Sequence, residues 1–249
     1  MKGVLTIFLL SSCFYLFAEK LSFDIDYLGF NVATVEMSIS IDEHETIFDN
    51  NSNFKIMVYS KSSRFIDFFT HSYENLYTVY SDAHLRPLKY IKDIKQKNFL
   101  EKAETLYSFE EHEAIYFESI SDREHNYMIL DDTKDFFSAL YYIRSLNLKE
   151  DINFSIDVAG KIVLVSCQYI KSESLRTNIG TFQTNKVELT FKWYDNVRKM
   201  RSDILTNNLW QQENKLNFWF TNDKNQIPVK AQYVMKPFNV NWNIKGYKE

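Results

Sequence analysis

Thr133-Lys134-Asp135-Phe136-Phe137-Ser138-Ala139-Leu140-Tyr141-Tyr142-Ile143-Arg144-Ser145-Leu146-Asn147-Leu148 is the one stretch of the chain where apolar residues stop alternating and recur at helical spacing. Phe136, Leu140 and Ile143 fall at i, i+4 and i+7, and Phe137, Ala139 and Tyr141 widen the stripe. Lys134, Asp135, Ser138 and Ser145 are left for the other side, so the spacing predicts a helix over 133–148 lying on a sheet. Thr133 is placed to cap its first turn, Asp135 stands near the positive end of its dipole and Arg144 near the negative end. Asp135 and Arg144 are nine residues apart and cannot pair along one helical face, so each is expected to serve a separate partner. If Arg144 lies beneath the helix, its guanidinium needs a carboxylate or strand carbonyls, because an unpaired buried cation is too costly.

On both sides of this stretch the period is two. Leu21, Phe23, Ile25 and Tyr27 alternate with Ser22, Asp24 and Asp26; after Gly29, Ala33, Val35, Met37, Ile39 and Ile41 alternate with polar residues. These read as a hairpin, and Phe54 to Tyr59 follows the polar turn Asp49 to Asn53 as a third strand. Leu76 to Tyr80, Leu88 to Ile94, Ala103 to Phe109, Ala114 to Ser119 and Tyr127 to Leu130 succeed one another at intervals near ten residues, the rhythm of an antiparallel meander. Beyond the helix come Ile152 to Val158, Ile162 to Ile170, Phe182 to Trp193, Leu216 to Phe220, Val229 to Met235 and Trp242 to Ile244. The expected fold is mostly β: about a dozen antiparallel strands in one curved sheet, open or closed into a barrel, with one main helix covering it. No repeat, low-complexity tract or proline-rich linker divides the chain, so residues 19–249 are read as a single domain.

The 249 residues include 16 Tyr and 21 Phe but only 5 Gly and 3 Pro, a composition for pleated strands and not for glycine-rich phosphate loops. A net charge of -4 argues against a nucleic-acid partner, which needs a concentrated basic face. The runs Lys92 to Lys97 and Arg198 to Arg201 are too short to change that and read as solvated strand ends and turns.

Lys2, the apolar run Val4 to Leu10, and Cys13 to Ala18 form a charged start and an apolar segment ending in a small residue, the pattern of a secretory signal cleaved after Ala18. Leu10-Ser11-Ser12-Cys13 also fits a bacterial lipoprotein box, with Cys13 as the lipidated residue; in that case alone the protein is membrane-associated. Cleavage after Ala18 leaves Cys167 as the sole cysteine, so no internal disulfide is expected, and its apolar surroundings mark it as a small buried residue.

In order along the chain, Asp26-Tyr27-Leu28-Gly29-Phe30, Leu85-Arg86-Pro87-Leu88-Lys89-Tyr90, Asp135-Phe136-Phe137-Ser138-Ala139-Leu140-Tyr141-Tyr142-Ile143-Arg144, Gly180-Thr181-Phe182-Gln183-Thr184, Leu216-Asn217-Phe218-Trp219-Phe220-Thr221-Asn222-Asp223 and Ile227-Pro228-Val229 resemble the segments of a bacterial envelope family, domain of unknown function 3108. The chain departs from it in lacking a second glycine shortly after Gly29. The resemblance implies a secreted or periplasmic, mostly-β protein with no established activity. A weaker architectural likeness is to the lipoprotein-carrier clams, open curved sheets whose helical lid encloses an apolar hollow.

No catalytic or cofactor motif is present. His44, His71, His84, His112 and His125 lack the i, i+2 or i, i+4 spacing that puts two imidazoles on one metal, and no cofactor is expected. Asp131, Asp132 and Asp135 are read as solvating a loop and serving the helix dipole, not as an acid–base pair. Ser138 lacks the glycine-flanked elbow of a hydrolase nucleophile, leaving an envelope hydrolase as a remote reading. Two functional expectations remain. The first is a module that binds a lipid or acyl chain against Phe136, Phe137, Leu140 and Tyr141; the second is a structural partner of other envelope proteins.

Overall fold

The computed structural model describes residues 18–41, 54–69, 72–97, 99–158, 160–194, 203, 214–234 and 238–249. The leader with Cys13, the Asp49 to Asn53 turn, His44, His71 and the Arg198 to Arg201 run lie outside the described residues.

The chain opens with β1 (Ala18–Tyr27), β2 (Phe30–Ile41), β3 (Phe54–Ser62), a short helix α1 (Arg64–Phe69), β4 (Glu74–Ser81), β5 (Pro87–Gln96), β6 (Phe99–Ser108), β7 (Glu113–Glu118) and β8 (Arg123–Met128). A two-residue strand β9 (Lys134–Asp135) leads into helix α2 (Phe136–Arg144). Then follow β10 (Ile152–Asp157), β11 (Ile162–Thr177), β12 (Gly180–Trp193), β13 (Lys215–Thr221), β14 (Pro228–Val234) and β15 (Val240–Lys248).

All fifteen strands among the described residues share one sheet in the order β8-β7-β6-β5-β4-β3-β2-β1-β15-β14-β13-β12-β11-β10-β9. Every strand therefore lies beside its sequence neighbour, and the first and last strands pair with each other, Phe23 opposite Ile244 and Ile25 opposite Trp242. This is a meander whose ends have met, a ring of strands open at one seam, between β8 and β9. Side chains bridge that seam: the Tyr107 hydroxyl on β6 and the Tyr127 hydroxyl on β8 donate to Asp157 Oδ2 on β10, at 2.8 and 2.5 Å. Pairing is antiparallel throughout except that β9 runs parallel to β10, Lys134 against Ile156 and Asp135 against Asp157.

The β1–β2 hairpin turns in two residues, since Tyr27 pairs with Phe30. Such a turn needs two residues with positive φ; Gly29 supplies one at 80° and Leu28 the other at 55°. Leu28, just before Gly29, takes up the left-handed conformation that a glycine would adopt freely, at a cost of about 1–2 kcal/mol. Along β8 the register begins earlier than the apolar run suggests, at Arg123 instead of Tyr127, because β7 holds Glu118 opposite Arg123.

The helix is shorter than its periodicity predicts, 136–144 in place of 133–148. Lys134 and Asp135 go to the ladder with β10 instead. Asp135, and not Thr133, caps the helix, its Oδ1 accepting from the Phe137 and Ser138 amides at 2.8 and 3.1 Å. The Thr133 hydroxyl accepts from the Leu130 amide at 2.9 Å and bonds the Ser155 hydroxyl at 2.8 Å. Lys134, Asp135 and Ser138 are buried instead of facing water. The reason is topological: the sheet is rolled around the helix, so no side of its first turn is outside. Phe137 and Tyr141 enter one core cluster with Met37, Val58, Tyr77 and Tyr90; Ala139 and Ile143 enter a second with Phe154, Ile156, Val165, Leu189 and Phe191.

Candidate functional site: two pockets divided by the central helix

The C-terminal end of α2 is held by an ion pair. Arg144 Nη1 and Nη2 donate to the two carboxylate oxygens of Glu19 at 2.6 Å each, and its Nε and Nη2 donate to the carbonyls of Gln226 and Asn225, both at 3.1 Å. The side chains are 9% and 3% exposed, so this is the carboxylate-and-carbonyl socket that a buried guanidinium requires. Burial opposes the Arg144 charge, yet the Glu19 bonds outweigh it and its pKa is raised. Gln226 returns the contact: its Nε2 donates to the carbonyls of Arg144 and Leu146 at 2.6 and 2.9 Å, satisfying orphan acceptors of the last turn. Asp135 and Arg144 do serve separate partners.

A cleft lies between α2 and the second half of the sheet. Phe136, Phe137, Ala139, Leu140 and Ile143 form its helical wall, and Phe154, Leu189, Phe191, Phe218, Ala231 and Trp242 are among those facing them. Lys230 is the one charged residue on its border. The cleft encloses about 720 Å³ outside the atoms, its mouth included, but it is a slot: the centre of a water-sized sphere fits in about 40 Å³ of it.

A second pocket, wider and polar, lies at the other end of β1 and β2, where Glu19, Ile39 and Phe54 meet Leu85, Lys134, Tyr141, Tyr142 and Arg144. Here a water-sized centre has about 660 Å³. Of the four residues that the sequence singled out, Phe136, Phe137 and Leu140 thus come together on the slot, whereas Tyr141 borders the polar pocket on the other side of the helix. Helical spacing can place a residue on a stripe, but it cannot tell what each edge of the stripe faces once a sheet encloses it.

Buried polar groups gather on both sides of the seam, on β5 to β8 and on β10. Asp157 is fully buried; burial raises its carboxyl above the ordinary 3.8, against the lowering effect of the Tyr127 and Tyr107 hydroxyls. Nearby, Lys92 Nζ lies 3.4 Å from Glu101 Oε1, which also accepts from the Tyr116 hydroxyl at 2.8 Å. Nothing in the sequence pattern announces these groups, because their partners are up to 50 residues apart and read singly as strand residues. Cys167 is buried and its thiol is pushed up to about 12 by burial, the state of a packing residue and not of a nucleophile. Asp131 and Asp132 are exposed, and Asp131 Oδ1 lies 2.9 Å from His112 Nδ1. Among the described residues no group of three His, Cys, Asp or Glu side chains could hold a metal ion.

A rolled antiparallel sheet of fifteen strands, open at one seam and threaded by a capped helix, defines the class: a barrel-like β protein with an apolar slot beside its internal helix. The chain belongs to the family described as protein of unknown function DUF3108, whose model matches residues 22–237. No curated protein matches it. Among solved structures it is similar to a β-barrel-like protein of domain of unknown function DUF1849 from Brucella abortus, at TM-score 0.57 and 10% identity over 94% of this chain and 98% of that one. It is also similar to a candidate exported protein with a YmcC-like fold from Bacteroides fragilis, at TM-score 0.34 and 8% identity over 93% of this chain and 95% of that one. A candidate lipoprotein from Parabacteroides distasonis matches at TM-score 0.35 and 14% identity over the same shares. At these identities only the first likeness bears on the fold, and it agrees with the rolled sheet.

Proposed function

We propose that the protein is an exported binding module that holds a chain-like hydrophobic molecule, a lipid or acyl chain, in the slot between α2 and the strands β10 to β15. The observation that carries this reading is the slot's lining, apolar along its length apart from Lys230. As it stands the slot has only about 40 Å³ of room, well under the roughly 300–1,000 Å³ of a small-molecule pocket, so the reading rests on the lining and not on the volume. Its narrowness means that the walls part to admit a ligand, and the half-buried Phe136 and Leu140 are the helical side chains with room to turn. The proposed export to the periplasm rests on the charged and apolar start of the sequence.

The test is native mass spectrometry of protein purified from its own membrane fraction, set beside an Ala139→Trp variant. Ala139 is buried on the slot's wall. A ligand-loaded wild type and a folded but empty variant are expected. An empty wild type, together with a variant destabilised by the roughly 1–3 kcal/mol of overpacking, would leave the assembly role ahead. One feature favours that second reading: β8 ends the sheet and pairs only with β7 among the described residues, an edge open to another strand.

A further inference from the structure

Two donors border the polar pocket, one with no hydrogen-bond partner and one with no carboxylate beside it among the described residues. The Tyr141 hydroxyl, on a residue 6% exposed, has no hydrogen-bond partner among the described residues. Lys134 is 4% exposed, and its ammonium lies over the Tyr142 ring at 4.7 Å with no carboxylate oxygen within 4 Å among the described residues. Of the carboxylates around it, Asp135 caps α2 through Oδ1 with its Oδ2 buried and without a partner among the described residues, and the others are committed elsewhere. Asp82 holds Arg86 Nε at 2.7 Å and the amides of His84 and Arg86; Asp132 accepts from the Ser155 hydroxyl at 2.9 Å; Glu19 is taken by Arg144. A buried hydroxyl left without an acceptor is costly, and it borders, with Lys134, one cavity large enough for a small molecule.

We infer that this pocket is a second binding site, distinct from the apolar slot, that takes a small monocarboxylate with an apolar body, its carboxylate accepting from the Lys134 ammonium and the Tyr141 hydroxyl. Two features set the ligand class. Ile39, Phe54, Leu85 and Leu146 supply apolar wall beside the donors, which suits a short hydrocarbon part. Asp131 and Asp132 stand exposed at the rim, and their charges weigh against a dianion such as a phosphomonoester more than against a single carboxylate. Burial lowers the pKa of Lys134, and a bound carboxylate restores the charged form.

The probes are hexanoate, its uncharged analogue hexanamide, and inorganic phosphate, each titrated against the purified protein by calorimetry and thermal midpoint. Hexanoate is expected to bind and raise the midpoint, with hexanamide weaker by about ten-fold or more, the value of a charge-assisted hydrogen bond. Tyr141→Phe deletes only the unpartnered oxygen, so it should fold as well as wild type while binding hexanoate about ten-fold more weakly. Lys134→Met keeps an apolar stem over Tyr142 and should abolish hexanoate binding. Hexanoate binding that survives both substitutions belongs to the slot and overturns the inference. So does a wild type that responds to phosphate alone or to none of the three, or a Tyr141→Phe variant that binds hexanoate as wild type does.

Discussion

Phe137 and Leu140 both border the slot beside α2, yet what holds them differs. Toward β4 and β5, Phe137 is 1% exposed and packs its ring 4.9 Å from that of Tyr77 and 6.4 Å from that of Tyr90. Tyr77 is fixed in turn by its hydroxyl, 2.6 Å from Asp203 Oδ1 and accepting from Asn75 Nδ2. Toward β10 to β14 the lining of Phe154, Val165, Leu189, Phe191 and Leu216 contains no such anchor. Rings tied by hydrogen bonds have one position and fill their space; untethered apolar walls can meet or part at small cost. The barrel is thus specified on one side of its helix and adaptable on the other.

The largest effect is expected where the helix is clamped to both sides. Arg144→Met leaves Glu19 buried with its charge unmatched, and denaturant titration should show a loss of about 3–5 kcal/mol. Adding Glu19→Gln should restore part of it. An Arg144→Met variant as stable as wild type would show that the clamp contributes nothing.

The next pair of substitutions compares two residues of the slot's helical wall, one held by the rings of β4 and β5 and one not. Phe137→Ala opens a cavity among fixed rings and should cost about 3–5 kcal/mol. Leu140→Ala, at a half-buried position already bordering the slot, should fall near the lower end of the range for such truncations, about 2 kcal/mol, because its neighbours can close the gap. Equal costs would mean that the packing around Leu140 is as rigid as that around Phe137.

Which parts of this were legible beforehand follows from how far each contact reaches along the chain. Alternation over Leu21 to Tyr27 and Ala33 to Ile41 located strands and a hairpin, because neighbouring residues decide pleat and turn. The need of Arg144 for a carboxylate could be argued from burial cost, but its partner Glu19 is 125 residues away and stood as an ordinary residue beside a cleavage site. The helix was over-read at both ends. Its first residues were claimed by β9, a pairing that exists only once β10 is in place, and that tertiary ladder outweighed local spacing. The short α1 carries Phe65, Phe68 and Phe69 at i, i+3 and i+4, but six residues are too few for that spacing to stand out from a strand end, and Phe65 and Phe68 are well exposed. Tyr141 was taken with the stripe it borders in sequence, although the helix itself turns it toward the other pocket from Leu140.

A smaller effect should appear at the seam, on the filled side. Tyr127→Phe removes one of the two hydroxyls that Asp157 accepts and should cost about 1 kcal/mol, read as a shift of the urea midpoint at unchanged slope. A change of slope instead would mean that the seam opens and the folded barrel loosens.

The subtlest test concerns proton linkage at that same seam. Burial raises the Asp157 carboxyl above its ordinary 3.8, outweighing the Tyr127 and Tyr107 hydroxyls and the Lys92 charge that lower it. The folded protein therefore keeps a proton on Asp157 at a pH where the unfolded chain has lost it. Stability depends on pH as the difference in protons bound, unfolded minus folded, so its slope is negative there. The contribution is complete below 3.8 and fades as pH rises through the folded value. Asp135, likewise raised by burial, adds a slope of the same sign from the helix cap. Asp157→Asn keeps an acceptor for the two tyrosines but has no proton to exchange, so its urea midpoint should fall less steeply than that of wild type from pH ~4 to ~7. The slope that remains belongs to Asp135 and the other carboxylates. Parallel curves for the two proteins would show that Asp157 titrates alike folded and unfolded, and that the seam is wet. The contrast between a sealed, polar-anchored half and an adaptable apolar half would then have to rest on Phe137 and Tyr77 alone.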